Sequence, residues 1–219
     1  MPLQHGRGCG AFPFGIQECE IGQRAIEPQT TLPCSSRVAG PRAQSHQDRQ
    51  QMTLKARVLA SCRCTKVTFE ATGKPILSVV CYCDDCQEGA RRIEALPDAV
   101  PVRDPDGGTP YVLYRKDRFS CVKGNQLLRG LRIRQQSPTK RVVTSCCNSA
   151  MFLDFGRGHW VSVYRARFAG DLAPPQMRVQ TRFRPKGAEV PRDLPAYATF
   201  PLTFIVKLIA ARIAMLLHR

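Results

Sequence analysis

Negative charge is the scarcest feature of this 219-residue chain: 17 Asp and Glu stand against 33 Lys and Arg, a formal net charge of +16. Such a balance favours anionic partners over cationic ones. Aromatic residues are also few, at 7%, and the basic residues are dispersed among them rather than gathered into a stripe. No nucleic-acid-binding module stands out, so nucleic acid is a disfavoured partner. The opening Met1-Pro2-Leu3-Gln4-His5-Gly6-Arg7-Gly8-Cys9 lacks the apolar run of about 7–15 residues that marks a secretory leader. A cytoplasmic location is therefore the expectation, and there clustered cysteines bind metal or react more often than they pair. A content of 43% hydrophobic and 23% charged residues excludes a fibrous or wholly disordered chain.

What the chain does have is cysteine. It holds eleven, an odd number, and seven of them fall into two tight clusters and a doublet: Cys62-Arg63-Cys64, Cys81-Tyr82-Cys83-Asp84-Asp85-Cys86 and Cys146-Cys147. Thiolates suit Zn²⁺, which takes four ligands in a closed structural site and three protein ligands in an open, reactive one. Seven cysteines divide naturally into four and three. Residues i and i+2 of an extended strand project to one side, so Cys62 and Cys64 can reach one ion. Cys81, Cys83 and Cys86 can wrap a second from a single short segment. Zinc is thus the expected cofactor, one ion structural and a second catalytic, with Cys62, Cys64, Cys81, Cys83, Cys86, Cys146 and Cys147 as candidate ligands. Neighbours on a strand point opposite ways, so Cys146 and Cys147 can share an ion only at a turn or bulge. Cys121 alternates with Phe119 and is read as packing, not ligation.

Residues 1–51 show no helical or strand period and read as a disordered extension, with Met52 as the expected authentic start; Cys9, Cys19 and Cys34 there match no ligand spacing. From 52 to 168 the texture is mainly β. Strands are expected at Lys55–Leu59, Lys66–Thr72, Ile76–Cys81, Thr109–Tyr114, Arg118–Lys123, Leu127–Arg134, Arg141–Ser145 and Trp160–Phe168, separated by turn chemistry such as Gly73-Lys74-Pro75 and Gly124-Asn125. A short helix should follow Asp84-Asp85, whose carboxylates can cap it. This domain carries 20 Lys and Arg against 10 Asp and Glu, a net +10. Residues 169–219 read as a Pro- and Arg-rich linker followed by an amphipathic helix over Leu202–Leu217. Lys207 and Arg212 argue against a membrane span, because a charge at mid-bilayer costs about 2.5–3.5 kcal/mol. Docking on its own domain or in a homo-oligomer is the expected use of that helix, with peripheral membrane contact as the alternative.

The stretches Ser61-Cys62-Arg63-Cys64, Cys81-Tyr82-Cys83-Asp84-Asp85-Cys86-Gln87 and Ser145-Cys146-Cys147-Asn148-Ser149 resemble the glutathione-dependent formaldehyde-activating enzyme / centromere protein V family, in a bacterial branch of it. The resemblance covers roughly residues 55 to 168. It implies a GFA-like fold of curled antiparallel β-sheets stapled by zinc. It further implies that the C-x-C pair and a late C-x-x-C hold structural zinc while Cys81, Cys83 and Cys86 hold the catalytic one. The implied activity is that of a carbon–sulfur lyase or synthase on S-hydroxymethylglutathione, with a small thiol such as glutathione as partner. The chain departs from the family pattern at three places. Thr65 replaces a Gly, Tyr82 replaces a His, and Thr144 stands where the late motif has its first Cys, with Cys147-Asn148 for Cys-Gly. Asn tolerates the left-handed backbone that such a Gly supplies. Tyr82, Asp84 and Asp85 lie within sequence reach for proton transfer, although an Asp pair in a turn reads first as a helix cap. A non-catalytic, zinc-stapled binding module that uses the basic surface and the helix is the rival reading.

Overall fold

The computed structural model describes residues 57–170 and 172–217, so the expectations placed on residues 1–51 lie outside the described residues. Strand β1 (Arg57–Ser61) turns back into β2 (Thr68–Thr72), and β5 (Phe119–Lys123) adds to β2, making a three-stranded antiparallel sheet. The other strands are β3 (Leu77–Cys81), β4 (Thr109–Arg115), β6 (Leu128–Leu131), β7 (Thr139–Thr144), β8 (Ala150–Phe155), β9 (Trp160–Tyr164) and β10 (Met177–Val179). They form a seven-stranded sheet in the order β10-β3-β4-β9-β8-β7-β6. Two helices complete the described elements, α1 (Asp84–Glu94) and α2 (Leu202–Leu217). The mainly β class and the C-terminal helix expected from the sequence are thus both present.

Alternation along the strands of the large sheet divides its core into two layers. Tyr111, Leu113 and Tyr164 face one way, where they meet Cys86 and Ile93 of α1 and Phe204 and Leu208 of α2. Val112, Tyr114, Val161 and Val163 face the other way, against Ala60, Phe69 and Ala71 of the small sheet. Helices therefore cover one face and the small sheet the other. Phe69 stacks on Phe119 at 4.7 Å between centroids, and Phe152 of β8 meets both edge-on, which ties the two sheets together. Each such pair contributes about 0.5–1.5 kcal/mol beyond its buried area.

Two strands differ from the sequence expectation. β8 was not expected at all; its Asp154 and the flanking glycines mask a strand whose outer edge is only half-buried. β10 comes from the stretch read as a linker: Met177, Arg178 and Val179 pair in parallel with Val79, Val80 and Cys81. Three residues among prolines give too short a period to see.

Helix α1 starts where Cys83 leaves extended backbone (φ −62°, ψ 154°), with no side-chain cap. Asp84 and Asp85 therefore do not cap it, but they sit in its first turn, with Arg91 and Arg92 in its last, as the helix dipole favours. Its buried side is Cys86, Gly89, Ala90 and Ile93. Glycine is needed at 89 because a Cβ there would stand 1.8 Å from Nε of Arg141.

Helix α2 docks on the domain along Phe204 and Leu208, with Ala211 and Met215 half-buried on the same seam. His159 Nε2 donates to the Leu208 carbonyl at 2.9 Å, and Lys207 Nζ donates to Gln176 Oε1 at 2.8 Å. The opposite side, with Leu202, Ile205, Val206, Ile209, Ile213 and Leu216, is apolar too and exposed. No helix among the described residues is long and apolar enough to cross a membrane.

Burial holds the His159 pKa below its ordinary value, helped by Arg212 and Arg115 and opposed by the bond to Leu208. A lowered histidine pKa means the undocked state takes up the proton first, as pH falls below about 6.5. The docking contribution is thus complete above that pH and lost below it. Hydrogen exchange should show protection of the α2 amides falling between pH 7.5 and 5.5, after correction for intrinsic rates, and His159→Phe should remove most of that dependence. Protection independent of pH in the unaltered chain would contradict the assignment.

Candidate metal centres

Cys62 and Cys64 lie in the hairpin turn that follows β1, not within the strand as the i, i+2 argument supposed. The turn is closed by Cys62 N–H donating to Val67 O at 3.0 Å and Thr65 N–H donating to Cys62 O at 2.9 Å. Both thiols still project to one side, because Thr65 adopts the left-handed region at φ 58°. That conformation is costly for a β-branched residue, and it explains why glycine suits the position.

Cys146 and Cys147 occupy the turn between β7 and β8, which is the geometry that lets adjacent cysteines converge. Asn148 takes φ 49°, as the sequence argument anticipated. Thr144, fully buried, braces this turn: its Oγ1 accepts from Ser149 N–H at 3.2 Å and lies 3.4 Å from Cys147 Sγ. Its own N–H donates to Ser149 O at 3.0 Å. Thr144 therefore contributes a hydroxyl to this turn, and Cys146 brings its sulfur to within 3.9 Å of Cys62 and 3.3 Å of Cys64.

The four sulfurs of Cys62, Cys64, Cys146 and Cys147 all lie within 4.8 Å of one another. Individual separations are 3.6 Å for Cys62–Cys64, 3.9 Å for Cys62–Cys146, 3.3 Å for Cys64–Cys146 and 3.8 Å for Cys146–Cys147. A tetrahedral zinc with Zn–S bonds of about 2.3 Å requires edges of about 3.8 Å, so this donor set fits the ion. Val67 N–H donates to Cys62 Sγ at 3.3 Å, a bond that supports a thiolate. Half-buried Arg167 feels the charge of Cys147 and Cys62, which oppose the lowering of its pKa by burial.

The second cluster, Cys81, Cys83 and Cys86, also has its sulfurs within 4.8 Å. It is built from the last residue of β3, the N-cap of α1 and the first turn of that helix. Cys86 N–H donates to Cys83 O at 2.9 Å, so the helix itself folds the triplet together. Cys83 is held well below the ordinary thiol range, first by the hydrogen bond with Cys81, then by that with Cys86, with the Arg141 charge adding to both. Cys81 is pushed up, above all by its hydrogen bond with Cys83. Three thiols sharing protons in this way release one readily and the others only to a cation.

Sequence reasoning missed Arg141, because a charged residue in a strand reads as surface. It is buried at 2% exposure, its Nη2 donates to Asp85 O, and its Nε and Nη1 have no partner among the described residues. A buried guanidinium beside three sulfurs would offset the formal charge of −1 that a zinc held by three thiolates would carry. Tyr82 points away from the sulfurs. Its hydroxyl donates to Asp106 Oδ2 at 2.7 Å and accepts from Arg178 Nη1 at 2.6 Å, and burial raises its pKa. Asp84 and Asp85 are exposed. None of the three lines the space in front of the triplet, so none is placed for proton transfer there.

That space is a cavity of about 430 Å³, floored by Cys81, Cys83 and Cys86 and walled by the sheet and the C-terminal segment. Cys64, Cys146 and Cys147 are half-buried, so the four-thiol set lies near the surface with four converging donors, whereas the three-thiol set, with Cys81 and Cys86 buried, borders this cavity.

Residues 57–97 match a family model described as glutathione-dependent formaldehyde-activating enzyme, which bears out the resemblance over the stretch that holds five of the seven cysteines. Cys146 and Cys147 lie beyond the match, and their convergence with Cys62 and Cys64 rests on the fold. A crystal structure of a Rhodobacter sphaeroides protein is similar over 52% of this chain and 90% of its own, at 16% identity and a TM-score of 0.36. No curated protein matches the chain by sequence.

Elemental analysis of protein purified without chelator should find two zincs per chain. Cys64→Ser should reduce this to one and cost much of the roughly 10–16 kcal/mol apparent binding energy of a structural zinc. Cys83→Ser should also reduce it to one but leave the hairpin and turn intact. Full zinc content in both variants would remove both assignments.

Proposed function

We propose, for a chain whose residues 57–97 match the family model described as glutathione-dependent formaldehyde-activating enzyme, that it is a member of that family, binds two zinc ions and catalyses carbon–sulfur bond formation or cleavage on a thiol–aldehyde adduct of the S-hydroxymethylglutathione type. The observation that carries this reading is the contrast between the two donor sets. Four converging thiols offer a full tetrahedral donor set, while three thiols border a cavity and leave one position for a substrate. Zinc held there would supply acidity to a substrate thiol and polarise an aldehyde oxygen.

The chain's own residues have narrower tasks. Cys81, Cys83 and Cys86 hold the ion, positioned by the strand end and helix start. Arg141 offsets the thiolate charge from behind. Tyr111, in the cavity wall, donates to Cys86 Sγ at 3.7 Å, and burial keeps its phenol protonated, so it serves as a donor and not as a base. The apolar wall excludes water from the reacting carbon. In synthesis the thiol adds across the aldehyde C=O, one C–S bond forms, and the thiol's proton ends on the new hydroxyl; cleavage reverses each change.

Exchange NMR of formaldehyde with a panel of small thiols tests the proposal. At least one thiol should exchange faster than without protein, and Cys83→Ser should lower that rate at least a hundredfold while the four-thiol zinc remains. No acceleration with any thiol in the two-zinc protein would overturn the reading.

A second reading has its own observation, the exposed apolar side of α2 flanked by Lys207 and Arg212 on a strongly basic chain. That combination suits the surface of an anionic bilayer. Cosedimentation with phosphatidylserine vesicles should fall at least tenfold in Ile209→Glu/Ile213→Glu, with zinc content unchanged; equal cosedimentation of the variant would dismiss this use of the helix.

A further inference from the structure

The wall of the cavity above Cys81, Cys83 and Cys86 carries no charged side chain. Leu153, Phe155 and Trp160 come from the sheet, and Phe200, Phe204 and Leu208 from the C-terminal segment. Apart from the thiols, its polar side-chain groups are the hydroxyls of Tyr111, Thr139 and Ser162 and the indole N–H of Trp160, all uncharged. Arg141, the nearest buried cation, is not part of the wall. At the mouth, Phe200 and Ile205 are 42% and 40% exposed, so the apolar lining continues outward to solvent.

Glutathione brings two carboxylates and an ammonium. A site that recognises such a ligand places opposite charges or aligned donors against those groups, since an ionised group taken from water without a partner is strongly penalised. This wall offers none, while its volume is ample for a ring or a branched chain. From this wall we infer that the thiol taken by the cavity is uncharged and apolar, an aromatic or branched aliphatic thiol in preference to glutathione, and that Phe200, Phe204 and Leu208 set that preference. The inference rests on the open three-thiol site proposed above and narrows its substrate class.

Trp160 is the chain's single tryptophan and lies in the cavity wall, so its emission reports entry directly. The full chain, loaded with cobalt(II) as a spectroscopic substitute for zinc, is titrated separately with phenylmethanethiol and with glutathione, and metal content is measured afterwards. Phenylmethanethiol should bind at least tenfold more tightly and change both Trp160 emission and the cobalt absorption. Phe200→Lys, at an already exposed position, should weaken phenylmethanethiol at least tenfold without loss of metal. Glutathione binding as tightly as phenylmethanethiol, with the cobalt band shifted, would overturn the substrate class and leave the open site standing. A Trp160 response to phenylmethanethiol with no cobalt change would overturn the open site while supporting the apolar cavity. Silence in both signals would overturn the inference itself.

Discussion

Sulfur atoms held within 4.8 Å of one another, in two groups on a chain of this size, are the constraint from which the rest follows. Each thiolate repels its neighbours, and each thiol kept neutral forgoes most of its capacity to bind. A cation among them resolves both difficulties at once. The hairpin after β1 and the turn after β7 are distant in sequence, and their four sulfurs give the chain a reason to bring them together. The strained φ of Thr65 and the left-handed Asn148 are the local cost of aiming those sulfurs at one point.

The two clusters also divide the large sheet between them. Cys62 belongs to the layer under the small sheet, and Cys81 and Cys86 to the layer under the helices. A centre with four thiol donors would leave a metal no position for a further ligand. A centre on the helical face has its outer wall made by side chains of a separate segment, whose apolar residues can vary without disturbing the sheet. Phe200, Phe204 and Leu208 line the cavity that the three thiols border, although they offer no donor for a metal.

Much of this was legible in the sequence because thiolate ligation imposes spacing. The division into four and three follows from C-x-C, C-x-C-x-x-C and a doublet, and the turn at Cys146-Cys147 follows from the alternation of a strand. The helix over Leu202–Leu217 was visible because a long apolar run with few breakers has one reading. What was hidden is burial of the unexpected kind. Arg141 and Arg178 look like surface residues in any pattern, yet both are interior, one behind the sulfurs and the other bridging Tyr82, Asp106 and Asp193. β10 was hidden for the same reason, since its middle residue is that arginine. The apolar cavity could not be read either, because its walls come from seven separate stretches that only the fold assembles.

Tyr82 shows how one buried phenol organises its surroundings. Set between two cysteines on extended backbone, it must point away from them, into the far side of β3. A phenol buried there needs partners, and it has them in Asp106 and in Arg178, which belongs to β10. Arg178 in turn reaches Asp193, and its backbone pairs with Pro195 and Tyr197 just before the helix. A continuous chain of hydrogen bonds thus runs from the residue between two candidate ligands to the segment that carries Phe200 and Phe204 over the cavity. The position between the two cysteines is thus tied to the C-terminal arm, whose Phe200 and Phe204 line the cavity that the three thiols border.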